Sequence, residues 1–154
     1  MIQVRKAQPE DIAFIIDSQI KMARETEKME LDPSVVAQGV AAVFGPKVAG
    51  DYYVAEKVEE GMEPVTVACM LTLLEWSDWR NGNVIWIHSV YVLPEMRGQG
   101  VYPKMYEYLQ NLVKNSEFRG LRLYVDKTNA NAQKVYQKLG MNRDHYELYE
   151  WMKS

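Results

Sequence analysis

The chain has very little of the chemistry that disulfides and metal sites need. Its 154 residues include one cysteine, Cys69, and two histidines. A single cysteine cannot form an internal disulfide, so nothing in the sequence calls for an oxidising compartment, and we expect no metal site. Cys69 lies in the apolar run 67–71 and is predicted to be a small core residue, because a catalytic thiol needs a polar, electropositive setting.

Long apolar runs and a surplus of positive charge are also missing. No run approaches the ~20 apolar residues that span a bilayer, and the first residues lack the apolar stretch of a signal peptide. The net charge is −3, with both signs mixed along the chain. Nucleic acid and anionic membranes require a concentrated positive surface, so both are disfavoured as partners. We therefore expect a cytoplasmic protein, with room for a cationic substrate.

What is present indicates one ordinary globular domain. Apolar residues make up 47% of the chain and charged residues 25%, and there is no internal repeat or low-complexity linker. The length suits a single domain over residues 1–154. The oligomeric state is left open between a monomer and a homodimer.

Hydrophobic periodicity predicts the order β-α-α-β-β-β-α-β-α-β. The predicted strands are 2–7, 52–58, 65–76, 84–92, 121–125 and 145–152. Helices are predicted after Pro9, after Asp32, after Gly100 and over 129–139, and the polar stretch 24–30 is expected to end the first. Asn81-Gly82 predicts a tight two-residue hairpin. Strand 84–92 is apolar on both faces and should be central, so we predict an α/β fold, a mixed sheet with helices on both faces.

The segment 90–101 carries the most chemical information. A buried strand runs into a loop with two glycines, and this loop opens a helix. Free amides at a helix N-terminus bind anions, glycine allows the backbone to approach a phosphate, and Arg97 adds a positive charge. These residues predict a phosphate site. Taken alone, they fit a tight turn with a solvated arginine equally well.

Three segments resemble one known family. Arg97-Gly98-Gln99-Gly100-Val101-Tyr102 is similar to the acetyl-CoA signature of the GNAT N-acetyltransferase superfamily, Arg/Gln-x-x-Gly-x-Gly/Ala. The second motif of that family resembles the downstream segment Asn129-x-x-Ala132-x-x-x-Tyr136-x-x-Leu139-Gly140-Met141. Its opening strand and helix resemble Val4-Arg5-Lys6-Ala7 and Pro9-Glu10-Asp11-Ile12. The segments stand in the family order, and the order of elements fits nearly the whole chain.

The resemblance implies a GNAT-like fold and acetyl-CoA as co-substrate, with no metal. It implies that the backbone of Val90 and Val92 holds the pantetheine arm and the acetyl oxygen. The remaining residues that it assigns to the cofactor are Arg97, Gly98, Gln99, Gly100, Val101, Tyr102, Asn129 and Ala132. Tyr136 matches the tyrosine that protonates the leaving thiolate, and packing on its helix is the alternative. For Asn129 the alternative is a helix cap.

The sequence departs from the family pattern at three places. Tyr102 stands where the first motif ends in glycine or alanine, and Pro103 lacks an N–H, so one amide of the phosphate site is missing. Trp86 lies near the place where the central strand often bears an acid. About a dozen residues follow Met141, so one long final strand is expected where the family usually has two.

The sequence offers several candidates for the general base and for the acceptor site. Candidates for the base are Glu27, Glu75, Asp78 and His88. Glu75 and Asp78 lie beside Trp76 and Trp79, and two acids with two aromatic rings suit a cation. A second acidic stretch, Glu25, Glu27, Glu30 and Asp32, bridges the first two helices, where the family usually binds its acceptor, with Glu27 and Glu30 as candidate substrate ligands. Both stretches could equally be solvated surface.

The leading hypothesis is an N-acetyltransferase that moves an acetyl group from acetyl-CoA to a primary amine. The two acidic stretches favour a small cationic amine or a protein amino group as the acceptor. The alternative is a non-catalytic coenzyme A-binding sensor or interaction module of the same fold, suggested by Tyr102, Pro103 and the missing acid on the central strand. A nucleic-acid binder would need a basic stripe that this sequence lacks.

Overall fold

The structure, a computed structural model, describes residues 1–154. The chain divides into two compact units, Met1–Arg122 and Leu123–Ser154. The first unit contains one sheet of five strands, in the order β1-β2-β3-β4-β5. Their bounds are β1 Ile2–Lys6, β2 Gly50–Lys57, β3 Val65–Ser77, β4 Gly82–Val92 and β5 Leu121–Arg122. The first four pair antiparallel and β5 pairs parallel with β4, which confirms the predicted mixed sheet and α/β class.

Three helices belong to the first unit: α1 Ile12–Glu27, which follows a 3-10 turn Pro9–Asp11, α2 Pro33–Val43, and α3 Val101–Lys114. The first helix ends within the polar stretch 24–30, as the sequence predicted. The helix ends at Glu27, where Lys28 takes a left-handed conformation with φ 53°. None of the helices is long and apolar enough to cross a membrane.

The sheet buries a core on each face. On one face, α1 and α2 cover a cluster that includes Ile15, Val40, Val54 and Cys69. On the other face, Tyr53 of β2 packs against Tyr108 of α3, with ring centroids 5.5 Å apart. Because side chains alternate along a strand, β2 supplies both cores at once. Helices therefore cover both faces, as the sequence predicted.

The hairpin between β3 and β4 forms as predicted, but its turn differs. Ser77 pairs with Gly82, so the loop has four residues and Gly82 already belongs to β4. Only Asn81 takes a positive φ, of 49°. A Cβ at position 82 would lie 2.6 Å from the Arg119 Nε, so a larger residue there would require the Arg119 side chain to move. The prediction of a two-residue turn with both residues left-handed was wrong, because pairing ends at Ser77 and Gly82 and leaves four residues in the loop.

The second unit contains the helix α4, Ala130–Lys138. Asn129 caps it, because its Oδ1 accepts a hydrogen bond from the Ala132 N–H at 3.0 Å. After α4, Gly140 has a φ of 88°, as expected for a residue that ends a helix.

Two of the predicted strands differ from the structure. The strand predicted over 121–125 contains only two residues, Leu121–Arg122. The strand predicted over 145–152 is wrong, since no regular element follows Lys138. Leu148 and Trp151 are exposed there. Alternating apolar residues favour a strand, but a strand is stable only when a neighbour pairs its N–H and C=O groups, and this segment forms no ladder.

Cys69 provides a test of the core at alkaline pH. Burial raises the pKa of its thiol to about 12, whereas an unfolded cysteine has a pKa of about 8.5. Above that lower value the unfolded chain loses a proton that the folded chain keeps, so the free energy of unfolding falls as the pH rises. We expect this loss to reach roughly 1–2 kcal/mol at about pH 10.

Urea unfolding at about pH 7.5 and about pH 10 measures the effect. Cys69→Ala lowers stability at both values through the lost packing, but it should show the smaller decline between them. An equal decline in the wild type and the variant would contradict the burial of an un-ionised thiol.

Candidate active site

The centre of the candidate site is an irregularity in β4. Cys69 of β3 pairs with Tyr91, and Leu71 pairs with His88. One β3 residue therefore opposes two β4 residues, Ser89 and Val90, which is a β-bulge on β4. Ser89 has a φ of 49°, an uncommon conformation for a residue with a side chain. A bulge of this kind bends a strand and changes the direction of the groups that follow it.

The same strand loses one of its two neighbours near the bulge. Pairing between β4 and β5 is limited to Ile85 with Leu121 and Trp86 with Arg122. Beyond Trp86, no strand pairs with β4 on that side, while β3 stays paired with it on the other side up to Val92. The C-terminal half of β4 is therefore bonded on one edge and open on the other.

Hydrogen bonds show which amides face the open edge. The Leu93 N–H donates to the Val67 carbonyl of β3 at 2.9 Å. Because N–H directions alternate along an antiparallel strand, those of Val90 and Val92 point away from β3. The Val92 carbonyl agrees, since it accepts a hydrogen bond from the Arg97 Nε at 3.0 Å. An extended ligand that carries amides could pair with this edge as an added strand would.

The glycine loop follows β4 directly. After a 3-10 turn, Pro94–Met96, Gly98 has a φ of 75° and Gly100, the residue before α3, a φ of 77°. A Cβ at either glycine would meet nothing within 4 Å, so backbone conformation and not packing requires them. The open space beside this backbone suits a phosphate close to the first amides of α3.

Two further residues define the loop. The Gln99 side chain donates from Nε2 to the Glu95 carbonyl at 2.7 Å, which closes the loop on itself. Pro103 is the third residue of α3, so the helix offers one amide fewer in its first turn, as the sequence predicted. Val101 and Tyr102 still carry their N–H groups at the start of the helix. The loop therefore keeps most of the donors that a phosphate would use.

Arg97 is held by Glu25, which the sequence placed in the acidic stretch of the acceptor side, and by Tyr91, to which sequence reasoning assigned no role. Its Nη2 lies 2.7 Å from the Glu25 Oε2, and its guanidinium lies over the Tyr91 ring at 5.4 Å. Tyr91 also donates its hydroxyl to the Glu25 Oε1 at 3.0 Å. The hydrogen bond from Arg97 is the main cause that holds the pKa of Glu25 below its ordinary value. Neither the spacing of Glu25 nor that of Tyr91 indicates this contact in the sequence.

The candidate bases His88 and Glu75 share one face of the sheet. His88 pairs with Leu71, which belongs to the core under α1 and α2, so both point to that face. Glu75 lies two pleats further along β3 and shares its parity. The His88 ring stacks on Trp86 at 6.1 Å, and burial lowers the pKa of His88 from its ordinary value. The imidazole is therefore neutral at pH 7 and able to accept a proton.

The hairpin residues do not form one cluster. The Glu75 carboxylate accepts a hydrogen bond from the Arg122 Nη1 at 2.8 Å. Trp76 points to the opposite face of β3 by strand alternation and is 61% exposed. Asp78 lies in the turn, where its Oδ1 accepts from the Trp79 N–H at 2.9 Å. Of this predicted set, only Glu75 shares a sheet face with His88.

The acids between α1 and α2 differ in how far they are engaged. Both carboxylate oxygens of Glu30 accept from the Arg24 Nε, at 2.7 and 2.9 Å. Glu27, the last residue of α1, is exposed and forms no side-chain hydrogen bond or ion pair. Glu27 is therefore the carboxylate of this stretch that a cation could reach without displacing a partner.

The residues of the second motif lie in the second unit. Tyr136 is a half-buried residue of α4, and its carbonyl accepts from the Met141 N–H at 3.0 Å where the helix ends. Asn129 caps the helix, which is one of its two predicted roles, and Ala132 supplies the capped amide. The proposed chemistry of Tyr136 rests on the motif.

Comparison with known proteins identifies a family and several relatives. The sequence model of the Acetyltransferase (GNAT) family matches residues 22–141. Thialysine N-epsilon-acetyltransferase from Bos taurus is 28% identical over 97% of this chain and 89% of its own. A possible acetyltransferase from Clostridium difficile 630, a crystal structure, is 37% identical with a TM-score of 0.88, covering 100% of this chain and 99% of its own.

A more distant solved structure shares the fold. AAC(6')-Iy, in complex with the bisubstrate analog CoA-S-monomethyl-acetylneamine, has a TM-score of 0.73 at 14% identity, over 100% of this chain and 99% of its own. The family match spans well over half of the 154 residues and includes both motifs. This chain belongs to the GNAT family of acetyltransferases, enzymes that use acetyl-CoA.

Proposed function

We propose that this protein transfers an acetyl group from acetyl-CoA to a primary amine. The observation that carries the proposal is the open edge of β4, which begins beside a bulge at Ser89 and leads into the glycine loop before α3. A strand edge that can pair with amides and a loop that can take a phosphate follow each other without interruption. Coenzyme A has that chemistry, since its pantetheine arm carries two amides and its nucleotide end carries a diphosphate.

The donor would be held mainly by backbone groups. The amides of residues 98–102 would bind the diphosphate, and those of Val90 and Val92 would bind the arm. The donor supplies the acetyl group as a thioester. A Val90 or Val92 N–H, fixed by the strand, would donate to the acetyl oxygen where negative charge develops during attack. A fixed amide is effective there because it needs no reorientation as the charge appears.

The acceptor amine must lose a proton to attack. A lysine-like amine has a pKa of about 10.4, so a base has to take that proton. We assign this role to His88, since burial keeps its imidazole neutral and it lies on the sheet face that α1 and α2 cover. Glu75 shares that face, but Arg122 already occupies one carboxylate oxygen. Glu75 is therefore better suited to attract a cation than to remove a proton.

The leaving thiolate must gain a proton, and Tyr136 would donate it. A phenol with a pKa of about 10 can protonate a thiolate whose acid has a pKa of about 8.5, because the donor needs only to be placed correctly. The family motif around Tyr136 supports this assignment.

A cationic amine is the acceptor class that we propose, either a small molecule or a protein amino group. The bovine relative is named for acetylating the ε-nitrogen of thialysine, which is also an amine acceptor. Glu27 is unengaged, and Glu75 lies on the face of the sheet that bears His88. Glu30, Asp78 and Trp76 remain secondary candidates for contacts with the acceptor.

One observation favours a second function. Pro103 removes an amide from the first turn of α3, which would weaken a diphosphate site. A protein that binds coenzyme A without turnover, as a sensor or interaction module, would tolerate that loss. The two functions differ in whether a bound donor is consumed.

The variant Tyr136→Phe separates the two functions. Removing the hydroxyl leaves the thiolate without its proton donor, so kcat should fall by a factor of roughly 100 or more while acetyl-CoA still binds. The assay follows the thiol of released coenzyme A with a panel of cationic, neutral and anionic primary amines. Binding is measured separately by titration calorimetry with acetyl-CoA.

Tyr149→Phe is the matched control, because Tyr149 lies in the same unit, is 89% exposed and stands outside the motif. It should keep the wild-type kcat. Equal turnover in Tyr136→Phe and the control would remove Tyr136 from the mechanism. Tight acetyl-CoA binding with no turnover of any amine by the wild type would favour the non-catalytic function.

The double variant Glu75→Gln/Asp78→Asn tests the cationic acceptor. Removing two negative charges next to the acceptor region should raise KM for a cationic amine several-fold, because an attractive charge is lost. KM for a neutral amine and kcat should change little. Steady-state kinetics at low ionic strength give the largest difference, since salt screens exposed charges.

Glu60→Gln/Glu63→Gln is the control, because it removes the same net charge from the turn between β2 and β3. It should leave both KM values unchanged. An unchanged KM for the cationic amine in the Glu75/Asp78 variant would show that this hairpin does not select the acceptor by charge.

A further inference from the structure

Three side chains from three separate segments meet at the start of the donor loop. Glu25 comes from the last turn of α1, Tyr91 from β4, and Arg97 from the link between β4 and the glycines. The Glu25 carboxylate accepts one hydrogen bond from Tyr91 at 3.0 Å and one from Arg97 at 2.7 Å. The Arg97 guanidinium also lies over the Tyr91 ring. Each of the three residues therefore contacts the other two.

Glu25 lies in the last turn of α1, where the helix dipole makes a negative charge unfavourable. The last turn of a helix carries partial negative charge, so a carboxylate there is destabilising unless a cation compensates it. Glu27 follows in the same turn and adds a second negative charge. Arg97 and Tyr91 supply the compensation, and the pKa of Glu25 is lowered mainly by the hydrogen bond from Arg97. Its position in the last turn brings Glu25 into contact with the loop, where Arg97 and Tyr91 bind its carboxylate.

The contact leaves part of the guanidinium available. Arg97 donates Nε to the Val92 carbonyl and Nη2 to Glu25, while its Nη1 forms no hydrogen bond to the protein. Two fixed bonds and one aromatic ring define the plane of the group. An arginine ordered before its ligand arrives loses less conformational freedom on binding, so it binds more tightly.

We propose that Glu25 is a positioning residue of the donor site, which holds Arg97 ready for a phosphate of coenzyme A. The inference rests on the proposed donor site, and it assigns a new role to a residue outside both family motifs. Glu25 acts through Arg97 and does not itself contact the donor, since a carboxylate would repel a phosphate. The alternative is that Glu25 competes with the phosphate for Arg97, which predicts the opposite change in affinity.

Titration calorimetry with coenzyme A on Glu25→Gln tests the sign. The neutral amide holds the guanidinium less firmly, so Kd should rise by a factor of about 2 to 12, the range expected for ordering one long side chain. kcat at saturating donor should stay at the wild-type value. Glu59→Gln is the matched control, because it breaks a similarly exposed ion pair, with Lys57 at 2.7 Å, away from the loop, and its Kd should not change.

A double-mutant cycle with Arg97→Ala shows whether Glu25 acts through the arginine. In the Arg97→Ala background, Glu25→Gln should cause no further loss of affinity, because the group that it positions is already absent. A purely structural role would give the same loss in both backgrounds. Melting of the ligand-free variants checks that Glu25→Gln and Glu59→Gln are folded alike.

The outcomes are distinct. Tighter binding by Glu25→Gln would show competition and overturn the proposal. An unchanged Kd, or an equal loss in the presence and absence of Arg97, would overturn it while leaving the proposed donor site intact. A wild type that does not bind coenzyme A would remove the donor site itself and this role with it.

Discussion

The candidate site depends on β4 keeping one neighbour and leaving the other. Full pairing with β3 anchors the strand in the sheet, whereas pairing with β5 stops after Trp86. The bulge at Ser89 adds a residue and changes which amides point outward, so that Val90 and Val92 face the open edge. Without the bulge, the amide of Ser89 would take that direction, and the strand would reach the glycine loop in another register. A local irregularity of one residue therefore determines where the backbone groups of the proposed donor site lie.

At the glycine loop, the partial and full charges that could act on a ligand belong mainly to backbone groups and to side chains that are paired with each other. The loop uses two left-handed glycines and the first amides of α3, and the charge of Arg97 is balanced by Glu25. A net charge of −3 is therefore compatible with the proposed phosphate site. Glu27 has no side-chain partner, and Glu75 is engaged by Arg122, so the proposed contacts with a cationic amine differ in how far their carboxylates are already occupied.

Much of this was predictable from the sequence, for physical reasons. Several features depend only on residues that are close together in the chain, so the sequence predicts them directly. They are the glycines that need a positive φ, the proline and acids at a helix start, and the strand that is apolar on both faces. The contact of Glu25 with Arg97 joins residues 72 positions apart, and no periodicity indicates it. The bulge leaves no trace in the apolar pattern of β4. The final strand was predicted in error because alternation describes one face of a strand and not whether a partner exists for its backbone.

The most direct test of the central claim is thermal melting of the protein with acetyl-CoA, with adenine nucleotides as controls. Wild-type protein should melt about 5–10 °C higher at about a hundredfold excess over Kd. Gly98→Ala and Gly61→Ala should destabilise the free protein alike, because both glycines have a φ of 75° and open space around a Cβ. Only Gly98→Ala should lose the shift with acetyl-CoA. No shift in the wild type, or equal shifts in the two variants, would contradict a donor site at this loop.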